Sequence, residues 1–166
     1  MRWLSVVSVV ALAVAAPRLA AAEAVEKGAF GVGIILGEPT GVAAKLYLGD
    51  ATAVQAAAGL AFAGGGLQVH ADYLWHPWLL EERDSFSLPA YVGPGARFIY
   101  YDQGRDGQDF VATGVRAVAG FLFDFKEVPL DAFVEVAGVL EYQFGSEAAD
   151  GFEVTLNAGA GVRYYF

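Results

Sequence analysis

The last fourteen residues, Glu153-Val154-Thr155-Leu156-Asn157-Ala158-Gly159-Ala160-Gly161-Val162-Arg163-Tyr164-Tyr165-Phe166, alternate between two faces. Val154, Leu156, Ala158, Ala160, Val162, Tyr164 and Phe166 fall on one. Glu153, Thr155, Asn157, Gly159, Gly161, Arg163 and Tyr165 fall on the other. Successive Cβ atoms of a strand point to opposite faces, so a period of two predicts a strand. A polar face backed by an apolar one, running to the final residue, is the pattern of a strand that closes a membrane barrel.

The same parity extends back through the chain. Eight strands are predicted, at 29–37, 41–48, 53–63, 67–76, 88–101, 110–124, 130–142 and 153–166. Gly-rich and Asp/Pro stretches between them are hairpin signals. Each run approaches the roughly 9–11 residues that a tilted strand needs to cross a bilayer. Phe30, Ile34, Leu46, Val69, Phe98, Val115 and Val134 lie on apolar faces. The opposite parity collects Lys45, His70, Asp72, Arg97, Arg116, Asp124, Asp131, Glu135, Glu141 and Arg163, with Gln55, Gln68 and Asn157. It also collects many glycines, which suits a crowded interior. Pro94 removes a ladder donor and predicts a bulge or bend. The segment 79–87 reads as an unusually long turn. Aromatic residues gather at strand ends, where two membrane interfaces would lie.

At the other end, Met1-Arg2-Trp3 precedes a small-apolar run and an Ala-rich stretch at 19–22. This is the three-part pattern of a signal peptide, predicted over 1–22 with cleavage near Ala22 or Ala24. The run is too short for a spanning helix. The rest, 23–166, reads as one barrel domain. Losing Arg2 and Arg18 leaves 8 bases against 19 acids, a charge of −11. Such acidity argues against nucleic-acid binding, which needs a basic footprint. Only Lys27, Lys45 and Lys126 are lysines, and cysteine is absent. An ordinary soluble surface carries many more charges.

The terminus is similar to the assembly signal of Gram-negative outer-membrane barrels. That signal ends in Phe, with an aromatic two residues earlier and a Gly five earlier. Phe166, Tyr164 and Gly161 match; Gly159 stands where a polar residue is usual. The mature chain resembles the small eight-stranded outer-membrane barrels of the OmpA/OmpX type over its whole length. The resemblance rests on strand number, face alternation and the terminal aromatic. It implies an all-β, eight-stranded antiparallel up-and-down transmembrane barrel in the outer membrane of a Gram-negative-type cell. It implies outer-membrane lipid and the barrel-assembly machinery as partners. Members of that group stabilise the envelope, adhere, confer resistance or modify lipids, so it implies location more than activity.

The interior residues read first as a structural network, because buried charges must be paired and eight strands leave room only for side chains. A gated conduit for small ions is the alternative. His70 and Asp72 sit two apart, but two ligands make a poor metal site, and His76 lies about 20 Å from His70 along a strand. His70 is expected to hydrogen-bond a carboxylate. The loop 102–109 resembles a calcium loop but lacks its key ligands. Ser85, Ser87 and Ser146 show no adjacent base, so no nucleophile–base pair is assigned. No catalytic residue, metal site or cofactor is expected. The expected role is structural or surface-interactive, against a secreted soluble lipocalin-like barrel or a lipid-modifying enzyme.

Overall fold

The protein is described from a computed structural model that covers residues 27–61, 65–101, 110–144 and 151–166. The predicted leader, the predicted loop 102–109 and residues 62–64 and 145–150 lie outside the described residues. Eight strands form one antiparallel sheet in sequence order, closed by pairing of the first with the last. They are β1 (Phe30–Gly37), β2 (Thr40–Gly49), β3 (Thr52–Leu60), β4 (Leu67–Glu82), β5 (Phe86–Tyr101), β6 (Phe110–Phe125), β7 (Leu130–Phe144) and β8 (Gly151–Tyr165).

The pairing register sets the shape of the ring. A walk perpendicular to the strands leaves β8 at Tyr165. It passes Gly31, Lys45, Gln55, Asp72, Gly95, Arg116 and Val139, and re-enters β8 at Thr155. The return is offset by ten residues. With a rise of about 3.3 Å and a strand spacing of about 4.8 Å, that shear over eight strands tilts them by about 40°. The resulting ring has a backbone radius of about 8 Å, which side chains fill.

The chain's alternation decides which groups fill it. Along β4, exposed and buried residues alternate from Leu67 to Trp75. The buried parity is the polar one. Lys45, Gln55, Asp72, Arg97, Arg116, Asp131, Glu135, Glu141 and Arg163 are all buried. The apolar parity faces out, including Ile34, Val42, Phe98, Val115, Val136 and Leu140. Apolar packing inside is limited to side chains such as Ile35, Leu74, Tyr91, Leu122 and Phe133 between the charged groups.

Two irregularities differ from the sequence reading. β4 does not stop at Pro77, and 79–87 is not a long turn. β4 and β5 both continue, pairing Glu82 with Ser87, and leave a short turn between them. Pro94 keeps register with Ala117 and produces no shift in β5. The bulges lie instead in β4, between Trp75 and Trp78 and between Leu79 and Glu81. Each gives β4 one residue more than β5 over the same stretch: 75–78 opposes 90–92, and 79–81 opposes 88–89. This re-aims Trp78 and Leu80.

The upper rim, opposite the Tyr165 end, is stepped. β1 last pairs with β8 at Gly37–Gly159. Gly37 has a positive φ of 130°, a conformation that favours glycine, and starts the turn into β2. Above that turn β8 continues beside β7, pairing Val154 with Leu140 and Phe152 with Tyr142.

Candidate functional site: the charged lumen

The lumen holds its polar side chains in three tiers. In the upper tier, Arg97 from β5 forms an ion pair with Glu141 from β7. Its Nη1 donates to Oδ1 of Asn157 on β8 at 3.0 Å. Gln68 lies buried nearby in the same sheet, and neither of its amide atoms has a hydrogen-bond partner among the described residues.

The middle tier centres on Arg116 from β6. Its Nη2 donates to Oε1 of Glu135 at 3.1 Å. Its Nε lies 2.9 Å from Oδ1 of Asp72, an ion-pair contact without hydrogen-bond alignment. Gln55 Nε2 donates to both carboxylates, to Asp72 Oδ2 at 2.9 Å and to Glu135 Oε2 at 2.9 Å. The Tyr91 hydroxyl donates to Glu135 Oε2 at 2.8 Å. Glu135 therefore receives donors from β3, β5 and β6 across the lumen.

In the lower tier, Arg163 Nε donates to Oδ1 of Asp131 at 3.0 Å, and the Tyr165 hydroxyl to Oδ2 at 2.5 Å. Arg163 Nη1 reaches Gln55 Oε1 at 3.3 Å, which links this tier to the middle one. The guanidinium lies 4.1 Å from the Phe133 ring centroid, in cation–π range. Gly161 makes space for that ring, since a Cβ there would stand 2.7 Å from it. Lys45 Nζ is 2.8 Å from His76 Nε2 and 4.5 Å above the Tyr47 ring centroid.

These tiers are held by ion pairs. Arg97, Arg116 and Arg163 pair with Glu141, Asp72, Glu135 and Asp131, Lys45 contacts His76 and the Tyr47 ring, and Lys45, the arginines and the acids are all buried. An isolated charge at such a place carries a large desolvation cost, and pairing offsets it. Of the residues singled out in the sequence, Asp124 lies apart. It sits half-exposed at the lower rim and pairs with Lys27. Gly161, Tyr164 and Phe166 line the last strand, and the Phe166 amide donates to the Phe30 carbonyl at 3.0 Å.

His70 differs from its sequence expectation. Its Nε2 stands 3.8 Å from Asp72, beyond hydrogen-bond distance, and its Nδ1 has no partner among the described residues. His70, Asp72 and Glu135 bring ligand atoms within 4.8 Å of one another. Glu135 is a third potential ligand that β4 alone could not reveal. Arg116 contacts both carboxylates, however, and already supplies the positive charge there. His76, read in the sequence as too far from His70, instead meets Lys45. Ser85 belongs to the lower β4–β5 turn and Ser87 to the start of β5, away from His70 in the lumen. Ser146 and the calcium-like loop lie outside the described residues.

The network also contains members that charge and parity alone did not single out. Tyr91 and Tyr165 share the inward parity and act as donors. Lys27 precedes β1 and had no strand to place it. Comparison with protein-family models, curated proteins and solved structures gives no match.

Proposed function

We propose that this chain is an outer-membrane-type transmembrane barrel whose lumen is closed by ion pairs, with a structural or surface-interaction role. Inverted polarity carries this reading. Charged and amide groups point into the lumen, while Val, Leu, Ile and aromatic side chains point outward from every strand. A soluble lipocalin-like barrel requires the reverse arrangement. At a tilt of about 40°, ten residues rise about 25 Å, the height of the apolar band of such barrels. Trp75, Phe123, Tyr164 and Phe166 mark the lower border of the exposed band, and Tyr100, Phe144 and Phe152 the upper. That placement suits aromatic girdles.

On this reading the 1–22 leader directs export, and barrel-assembly machinery reads Gly161, Tyr164 and Phe166. The paired lumen favours a plugged barrel over a conduit. The test is folding of the mature chain from urea, with and without phospholipid vesicles. Folding that requires lipid or detergent supports the assignment. A folded, monomeric protein in plain buffer overturns it.

A further inference from the structure

The bulges in β4 shape a groove on the outside of the barrel. Trp78 and Leu80 form one wall, and Phe121, Val134 and Val136 the other. Ala90, Ala119 and Gly120 form a low floor between them, and the groove encloses about 610 Å³. That volume lies in the range of small-molecule sites, which run to roughly 300–1,000 Å³. The lining is almost wholly apolar.

Gly120 cannot be enlarged without disturbing the lumen. A Cβ there would stand 2.5 Å from Tyr91 Cζ and 2.6 Å from its hydroxyl oxygen. The hydroxyl is the one bonded to Glu135. Gly120 thus belongs to the inward parity and gives the groove only its backbone, while Ala90 and Ala119, on the outward parity, keep the floor low. Just past Leu80, Glu81 and Arg83 form an exposed ion pair of 2.8 Å. An apolar trough therefore ends beside one carboxylate and one guanidinium.

We infer that this groove binds one zwitterionic phospholipid, its acyl chain along Ala90, Ala119 and Gly120 and its headgroup at Glu81 and Arg83. The inference rests on the membrane reading, which makes the groove continuous with the lipid-facing band. The headgroup chemistry follows from the pair. Arg83 has the donor geometry for a phosphate, and Glu81 can receive an ammonium. The occupant is a lipid of the leaflet at the Tyr165 end, because Trp78 and Leu80 lie on the lower part of β4.

The experiment uses the mature chain, whose tryptophans are then Trp75 and Trp78. Two single-tryptophan proteins, Trp75→Phe and Trp78→Phe, are folded into vesicles containing increasing fractions of acyl-brominated phosphatidylethanolamine in phosphatidylglycerol. Trp78, inside the groove, is expected to reach half-maximal quenching at about a five-fold lower brominated fraction than Trp75. Ala119→Leu, which fills the floor, should remove that difference while both tryptophans remain quenched. Arg83→Glu should weaken it. Equal quenching curves for the two tryptophans in the unmodified groove overturn the lipid site and leave the membrane reading standing. No quenching of either tryptophan overturns both.

Discussion

Glu135→Gln is the sharpest perturbation of the lumen, because it changes charge with almost no change of shape. In the native protein Glu135 Oε2 accepts from Gln55 and Tyr91, and Oε1 accepts from Arg116. An amide oxygen placed at Oε2 keeps the first two bonds. The new NH₂ group then faces Arg116 Nη2, donor against donor. Arg116 keeps only Asp72, and the lumen loses one of its four buried carboxylates. Losing one partner of a buried ion pair costs roughly 3–5 kcal/mol, and an unpaired buried donor about 1–3 kcal/mol. The remaining Asp72 contact softens the loss, so about 3 kcal/mol is expected. Arg116→Gln should cost a similar amount, since it exposes two carboxylates to each other's charge. The double substitution removes one charge of each sign and should be less destabilised than the sum by at least about 1 kcal/mol. Urea titration of folding into vesicles, followed by tryptophan fluorescence, measures all three free energies. A Glu135→Gln change below about 0.5 kcal/mol, or strict additivity, would refute the argument that ion pairing holds the lumen together.

Val134 projects outward beside inward Glu135, so Val134→Arg in vesicles should cost about 2–4 kcal/mol by the same titration; a silent substitution would mean the face meets water. Deleting Phe166, exposed and held by a backbone bond to Phe30 and an edge-on ring contact with Tyr164, should lower outer-membrane levels on fractionation far more than it lowers folding stability in vitro. Normal outer-membrane levels of the truncated chain would remove the assembly-signal reading. Planar-bilayer recordings of the purified protein should show no steady large conductance, since Arg97, Arg116 and Arg163 span the lumen with their acids. Sustained open-channel current would instead favour a conduit.

Parity made most of the fold legible. Val134 and Glu135 are neighbours with opposite fates, and a period of two separates them without any tertiary information. The hairpins read at Glu38–Pro39 and Gly49–Asp50 were visible, the second within one residue of its place, because turns are local chemistry. Pro77 and Pro94 misled for the same reason. Proline removes a donor, but whether that breaks a ladder depends on which neighbour the missing N–H would have faced. At Pro94 the register survives, whereas Pro77 falls inside the bulge between Trp75 and Trp78 and β4 continues past it.

The residue pattern alone set the constraints: eight alternating strands, one polar face, and charges that must find partners. Alternation alone is symmetric with respect to inside and outside; the glycines on the polar parity and the scarcity of lysine were what pointed that face inward, and the closed ring buries it. The pattern could not name the partners. Gln55 and Arg163 are separated by 108 positions in the chain, and Glu135 and Gln55 by 80. Those contacts exist only once closure at Gly31–Tyr165 and a shear of ten residues bring opposite walls within side-chain reach. Local backbone geometry writes the period into the chain. The pairing of charges across a lumen is a property of the closed ring.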